Sequence, residues 1–296
     1  MPAPVLSTAQ KTRFAVIGDY GMAYYTGTNE ALVASMVSGW NPDFIITVGD
    51  NNYFSGTVTT IDANIGQYYS NYIYPYTGNF TPTIAITQNL FFPSLGNHDW
   101  ITQSVSAAAY LNYFTLPGNE RYYDFVWGPI HFFAMDSDPI EPDGTLSTSK
   151  QAMWLERQLA YAATKWRLVY MHHPPYSSPG MYRHGSSVWM RWPYQSWGAT
   201  AVLAGHDHDY ERILQNGFPY FVNGVGGASL RPFGVSFVSG SMFRFASNYG
   251  AMLVTADDAM IKFEFYAITD TVNALDIYTV TIPSTSNRGY IPFLIR

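Results

Sequence analysis

Residues 13–21 read RFAVIGDYG. Phe14, Ala15, Val16 and Ile17 run without polar alternation, and Gly18 stops them directly before Asp19. A short unbroken apolar run closed by glycine describes a strand buried on both faces. The same grammar returns at residues 44–49, FIITVG, which deliver Asp50. Residues 30–37 lie between the two and carry helical spacing.

Working outward, residues 90–95 form a short strand candidate that runs into Gly96-Asn97-His98-Asp99. Residues 121–127 and 131–135 flank Gly128-Pro129, a hairpin signature. Residues 149–163 place Met153, Trp154, Leu155 and Leu159 at helical spacing. Strands at 167–171 and 201–204 then end at His172-His173 and at Gly205-His206-Asp207-His208. The remainder is mostly strand, at 220–223, 251–255, 262–267 and 276–282. Alternating strands and helices followed by a strand-rich half predict an α/β (α+β) architecture. The expected form is a four-layer αββα sandwich, two mixed sheets with helices outside.

The polar residues that follow these strands are the informative ones. Asp19, Asp50, Asn97, His172 and the pair His206/His208 each come directly after an apolar run. In open α/β sheets, ligand sites gather at the carboxyl ends of the strands. Five such ends would bring oxygen and nitrogen ligands to one edge. Of the seven histidines, His98, His172, His184, His206 and His208 fall in these loops. Asp and Asn oxygens with imidazole nitrogen, and no cysteine at all, suit Fe, Zn, Mn or Co rather than a thiolate zinc.

Bulk properties narrow the field. Apolar residues make up 47% of the 296, enough for a large core, and charged residues only 12%. No Lys/Arg run exists and the net charge is −6, which speaks against a nucleic-acid platform. No apolar run approaches 20 residues, so no spanning helix is expected. Residues 1–10 lack the basic and apolar regions of a secretory leader. The surface chemistry, low in Lys and rich in Tyr, Asn, Ser and Thr, leans towards a secreted or periplasmic protein whose leader was removed, with the cytoplasm as the alternative.

Gly18-Asp19-Tyr20-Gly21 resembles GDxG, and residues 49–53 resemble GDxxY. Gly96-Asn97-His98-Asp99 resembles GNH[DE], residues 169–172 resemble VxxH, and residues 205–208 resemble GHxH. These are the five ordered motifs of purple acid phosphatases, within the calcineurin-like metallophosphoesterases, and they span residues 18–208. Tyr110-Leu111-Asn112-Tyr113-Phe114, residues 128–138 and residues 224–230 (GVGGASL) are similar to connecting pieces of that family. With nothing resembling a further domain before Arg13, the resemblance is to the short form, one catalytic domain over residues 1–296.

The resemblance implies a ferric site at Asp19, Asp50, Tyr53 and His208. It also implies a divalent site (Zn, Fe or Mn) at Asp50, Asn97, His172 and His206, with Asp50 bridging. Two ions about 3.5 Å apart would clamp a phosphate and lower the pKa of water to give the attacking hydroxide. Tyr53 sets this group apart, because other metallophosphoesterases place a carboxylate or Asn there. His98 and His184 are implied as the substrate histidines, with His98 binding the phosphoryl group or protonating the leaving oxygen. The implied partners are phosphate monoesters and inorganic phosphate. One departure is Asp99 where many members carry Glu; another is a longer loop between His172 and His184.

Other residues have a structural and a functional reading side by side. His173 is expected to orient a neighbour, and Asp99, Asp136 and Asp207 are candidate acceptors for imidazole N–H groups. His131 reads as structural. Tyr24, Tyr25, Tyr176, Trp189 and Trp192 either wall the cleft or pack the protein. The glycines of residues 224–227 have no following helix with Lys or Thr, so they read as a tight turn and not a nucleotide cradle. Asn79-Phe80-Thr81 matches a glycosylation acceptor, a tripeptide common by chance. A phosphodiesterase or nucleotide phosphohydrolase on the same scaffold, and a phosphate-binding protein without turnover, remain as alternatives.

Overall fold

The computed structural model describes residues 11–25, 27–100, 107–180 and 184–282; residues 1–10 and Arg183 therefore lie outside it. Two sheets pack face to face. In the first, β1 (Thr12–Ile17) pairs in parallel with β2 (Phe44–Thr47), and β2 in parallel with β3 (Phe91–Pro93). On the other side of β1, three antiparallel strands complete the sheet: β11 (Gly250–Ala256), β12 (Met260–Ala267) and β13 (Asp276–Thr281).

The second sheet begins with the hairpin β4 (Tyr123–Trp127) and β5 (Ile130–Ala134). It continues in parallel through β6 (Trp166–Tyr170), β7 (Ala201–Ala204) and β9 (Phe218–Asn223). Antiparallel β8 (Tyr210–Gln215) and β10 (Ser241–Phe245) close it.

Side-chain alternation explains the layering. In β5, Phe132 joins the core between the sheets while Phe133 joins the core on the outer face. Leu168 and Tyr170 against Val169, and Leu203 against Val202 and Ala204, divide the same way. A parallel sheet covered on both faces needs apolar residues at every position, which is why these strands read as continuous apolar runs. Phe14 and Phe44 of the first sheet meet Phe132 of the second at 5.0 and 5.3 Å between ring centroids. Burying each such ring is worth about 1.5–3 kcal/mol, and aromatic pairing adds about 0.5–1.5 kcal/mol beyond area.

Helices cover the outside. α1 (Thr28–Gly39) buries Val33, Ala34, Met36 and Val37 beside β11. α5 (Lys150–Tyr161) starts at Ser149, whose side chain accepts from Ala152 N at 3.2 Å, an N-cap. It lays Ala152, Leu155 and Leu159 on the outer core of the second sheet. Three short helical pieces lie between: α2 (Gln67–Tyr69) following a π-turn at Asp62–Gly66, α3 (Asn97–Trp100) and α4 (Ala108–Tyr113). The expected two-sheet sandwich is thus present. Two strands, β8 and β10, lie outside the expectation because Glu211, Arg212 and Arg244 give them a loop-like polarity.

Candidate metal centre

β1, β2 and β3 run parallel in one sheet, and β6 and β7 in the other. Asp19, Asp50, Asn97, His172 and the pair His206/His208 all follow the C-terminal ends of these strands. Loop-to-loop hydrogen bonds then draw the two edges together. Asp19 N donates to Gly49 O at 3.0 Å, Gly205 N to His172 O at 2.9 Å, and Ala228 N to Asp19 O at 2.8 Å.

The backbone turns sharply at the functional side chains. Asp19, Asp50 and His206 have φ of 53, 53 and 73°, the left-handed region that non-glycine residues rarely occupy. Such residues cost about 1–3 kcal/mol each and persist only where the surroundings over-determine them. The glycines before them allow the close approach. A Cβ on Gly49 would stand 2.7 Å from His172 Nδ1, and one on Gly205 would strike Asp19 Oδ2.

Two sets of donors result. In the first, Tyr53 Oη lies 2.8 Å from Asp50 Oδ2, 3.2 Å from Asp19 Oδ1 and 3.0 Å from His208 Nε2. His208 Nε2 and Asp19 Oδ1 are 3.3 Å apart. In the second, Asn97 Oδ1 lies 2.9 Å from His172 Nε2 and 3.0 Å from His206 Nδ1. His172 Nε2 stands 3.2 Å from His206 Nδ1 and 3.3 Å from Asp50 Oδ1. Asp50 contributes one carboxylate oxygen to each set.

In the first set, Asp19, Asp50 and His208 have the spacing of groups that could hold a metal ion. Ligands held at about 2.0–2.2 Å from one ion stand roughly 3 Å from each other. The imidazole orientations agree. His172 Nδ1 faces Val48 O at 2.9 Å and His208 Nδ1 faces Ser229 O at 2.7 Å. A carbonyl only accepts, so each Nδ1 carries the proton and each Nε2 turns a lone pair inward. His172 Nε2 then points its lone pair at two further acceptors, Asn97 Oδ1 and Asp50 Oδ1. Only a positive charge reconciles that arrangement. In the protein alone it is a proton: burial opposes it, but the Asp50 carboxylate outweighs burial and lifts His172 to about 10. Burial also opposes the charge on Asp50, yet His172 and His98 hold its carboxyl well below the usual range. Burial and the neighbouring His172 keep His206 low and neutral, as a ligand must be.

A cleft of about 570 Å³ opens beside the first set, lined by Met22, Tyr53, Phe54, His98, His184 and Arg231 among others. His98 N donates to Asp50 Oδ1 at 2.9 Å, and its ring Nδ1 faces Phe54 O at 2.7 Å. That anchor leaves Nε2 on the inner side, 4.0 Å from Asp50 Oδ2. His184 packs on His206 with ring centroids 4.5 Å apart and accepts from Arg231 Nη1. Burial and the Arg231 guanidinium push His184 down to about 4.

The remaining expectations divide. His173 meets Ser137 Oγ at 3.1 Å and packs on His206 at 4.4 Å, lowered to about 3 by burial and His172. The carboxylates expected to serve imidazoles mostly hold loops. Asp99 Oδ2 accepts from Gly96 N, Asn51 N and Asn51 Nδ2, while Asp136 accepts from the Trp100 indole. Asp207 takes the Ser177 hydroxyl and stands 3.8 Å from His184 Nδ1. Backbone carbonyls do the work assigned to carboxylates, and a sequence carries no mark of them.

His131 pairs with Asp124 across the β4–β5 hairpin at 2.6 Å. Trp192 belongs to the outer core, Tyr176 lies under Arg191, and Trp189 donates to Ser137 O beside His173. Tyr24 and Tyr25 are exposed, with Tyr25 against Phe54 at 4.8 Å. The glycine run at 224–227 packs closely beside the site as expected: Gly226 N donates to Gly18 O, and a Cβ on Gly224 would strike Asp207 O. Arg231 escaped the sequence reading although it directly follows the recognisable residues 224–230.

A sandwich of two mixed sheets carrying such donors at one edge defines a metallophosphoesterase. The calcineurin-like phosphoesterase family matches residues 12–210, and the chain belongs to that family, whose members are hydrolytic enzymes. It is similar to the human tartrate-resistant acid phosphatase type 5, 28% identical over 249 residues, 72% of each chain. Its fold matches a purple acid phosphatase of yellow lupin (TM-score 0.71, 17% identity, 92% of this chain), although it spans only 54% of the lupin chain. It also matches GAP50 of Plasmodium, described as an anchor in the inner membrane complex (TM-score 0.68, 18% identity, 92% of this chain and 89% of that one). Among the described residues no helix is long and apolar enough to cross a membrane.

Proposed function

We propose that the chain is a phosphomonoesterase active at acidic pH. It would use Fe(III) at Asp19, Asp50, Tyr53 and His208, and a divalent Zn, Fe or Mn at Asp50, Asn97, His172 and His206. The observation that carries this reading is the pair of donor sets sharing Asp50, with the inward edge of His98 beside them. The acid phosphatase relatives give the reaction class. Substrates are phosphate monoesters, inorganic phosphate is the product, and the setting is secreted or periplasmic. One catalytic domain accounts for the whole chain.

When bound, the two ions neutralise phosphate charge and lower the pKa of water at the site. The protein supplies position and protons. Asp50 is kept ionised and so never competes as an acid. His98, with Nδ1 fixed on Phe54 O, carries an Nε2 proton only as imidazolium, and that proton goes to the leaving oxygen. The need for a charged imidazole gives the acidic optimum. His184, neutral above about pH 4, accepts from Arg231 and keeps one N–H for a phosphoryl oxygen.

The test compares hydrolysis of a chromogenic phosphomonoester and its diester from pH 4 to 8, with protein loaded with iron plus zinc and Asp50→Asn as blank. Monoester preference peaking below neutrality and absent in the blank supports the reading. Diester preference with a neutral or alkaline optimum would replace it with a phosphodiesterase, and a metal-loaded protein inert on both would make it a phosphate-binding protein.

A further inference from the structure

Arg231 is the one Arg or Lys among the residues lining the cleft. Its backbone is fixed to the metal-site loops: Arg231 N donates to His208 O at 3.0 Å, and three residues earlier Ala228 N donates to Asp19 O. The side chain reaches His184, with Nη1 at 3.0 Å from Nδ1 and 2.5 Å from Nε2. Among the described residues it meets no carboxylate. The ion pairs of arginine and lysine there belong to Arg121, Lys150, Arg212 and Lys262. Arg13, Arg167 and Arg191 instead spend their donors on backbone carbonyls.

A guanidinium offers five N–H donors in a planar fork that matches carboxylate or phosphate. His184 engages Nη1 alone, so Nε and Nη2 have no protein acceptor among the described residues. A partly buried guanidinium left in this state is a site for an anion from outside. Its place identifies which one. The contact order Arg231, His184, His206 sets the guanidinium one ring beyond the imidazole that borders the donors. It therefore lines the cleft one side chain farther from the donors than His184, where a second anionic group of a substrate held at His184 would reach it. Met22 and Phe54, which also line the cleft, carry no charge.

We propose that Arg231 reads a second anionic group, giving the site a preference for phosphate esters and anhydrides whose leaving group itself carries a carboxylate or phosphate. The proposal rests on the phosphoesterase reading above and deepens it by naming a substrate class.

Phenylphosphonate and 4-carboxyphenylphosphonate test it, since a P–C bond is not hydrolysed and binding is read apart from turnover. Calorimetric titration of the iron–zinc protein should give the carboxylated compound about tenfold tighter binding, the scale of one charge-assisted hydrogen-bond pair. In Arg231→Gln that ratio should fall to near one, and in Arg231→Lys, which keeps the charge, most of it should return. A ratio unchanged in Arg231→Gln, or no preference or no binding in the wild type, overturns the proposal. An Arg231-dependent ratio in a protein that fails to hydrolyse phenyl phosphate would leave the proposal standing and remove the phosphatase reading alone.

Discussion

The phenol oxygen of Tyr53 stands 2.8 Å from Oδ2 of Asp50, three residues earlier in the chain, and both side chains are buried. Burial and the carboxylates of Asp50 and Asp19 raise the phenol well above its ordinary range, so in the protein alone it is a neutral donor. An ion held between these groups reverses the balance, because it favours phenolate. In iron-loaded protein, Tyr53→Phe should abolish the visible charge-transfer band while bound iron falls less than about twofold. Absorption spectra and elemental analysis check this, and a band that survives would remove Tyr53 from the ligands.

Asp50 and His98 are adjacent in space and should fail differently. Asp50→Asn removes the negative charge that both donor sets share and replaces one of its two oxygens with an amide nitrogen, so activity and most bound metal should be lost together. His98→Ala removes the ring anchored on Phe54 O, and kcat should fall by about 10²–10⁴-fold with metal content intact. Metal loss in His98→Ala would show that its ring is a ligand.

Gly205 has no room for a side chain. A Cβ there would strike Asp19 Oδ2 and lie 2.7 Å from Val48 O. Gly205→Ala should destabilise the metal-free protein by about 1–3 kcal/mol, as overpacking does. It should also lower metal content, because the displaced group is a donor. Thermal unfolding and elemental analysis read the two effects separately.

Glu30 is a fully buried carboxyl whose Oε2 accepts from Met22 N and Ala23 N while Oε1 has no partner. Burial raises it well above the carboxylate range, against the pull of those two N–H groups. The native state therefore holds this proton more tightly than the unfolded chain does. Its stabilising effect is complete below the ordinary Glu range and is lost as pH rises from there towards the folded value. Glu30→Gln keeps an acceptor and removes the titration. At pH 8 it should exceed the wild type in stability by at least about 1 kcal/mol, with little difference at pH 4. Urea unfolding at both pH values decides, and equal slopes with pH would refute the assignment.

Much of the fold was legible because each central parallel strand announces itself. Strands covered on both faces must be apolar throughout, and a glycine must follow where the chain turns into a crowded edge. Residues 13–19 and 44–50 therefore display strand, turn and acid in seven letters. β8 was not legible, since Glu211 and Arg212 are satisfied by partners far away: Ser178 and Asp276. The π-turn at Asp62–Gly66 likewise depends on Asp62 taking the hydroxyls of Tyr76 and Tyr113.

The sequence by itself determined the sandwich, the kinds of donor atom and the strand ends that carry them, because hydrophobic periodicity and turn chemistry are local properties. The tertiary structure alone decided how those ends meet. It sets Asp19 Oδ1 at 3.3 Å from His208 Nε2, and turns each imidazole by a backbone carbonyl of another loop. It also leaves Arg231 without an anionic partner at the mouth among the described residues. Those outcomes follow from hydrogen bonds between segments as far apart in the chain as Asp19 and Ala228, and no local pattern encodes a distance between two loops.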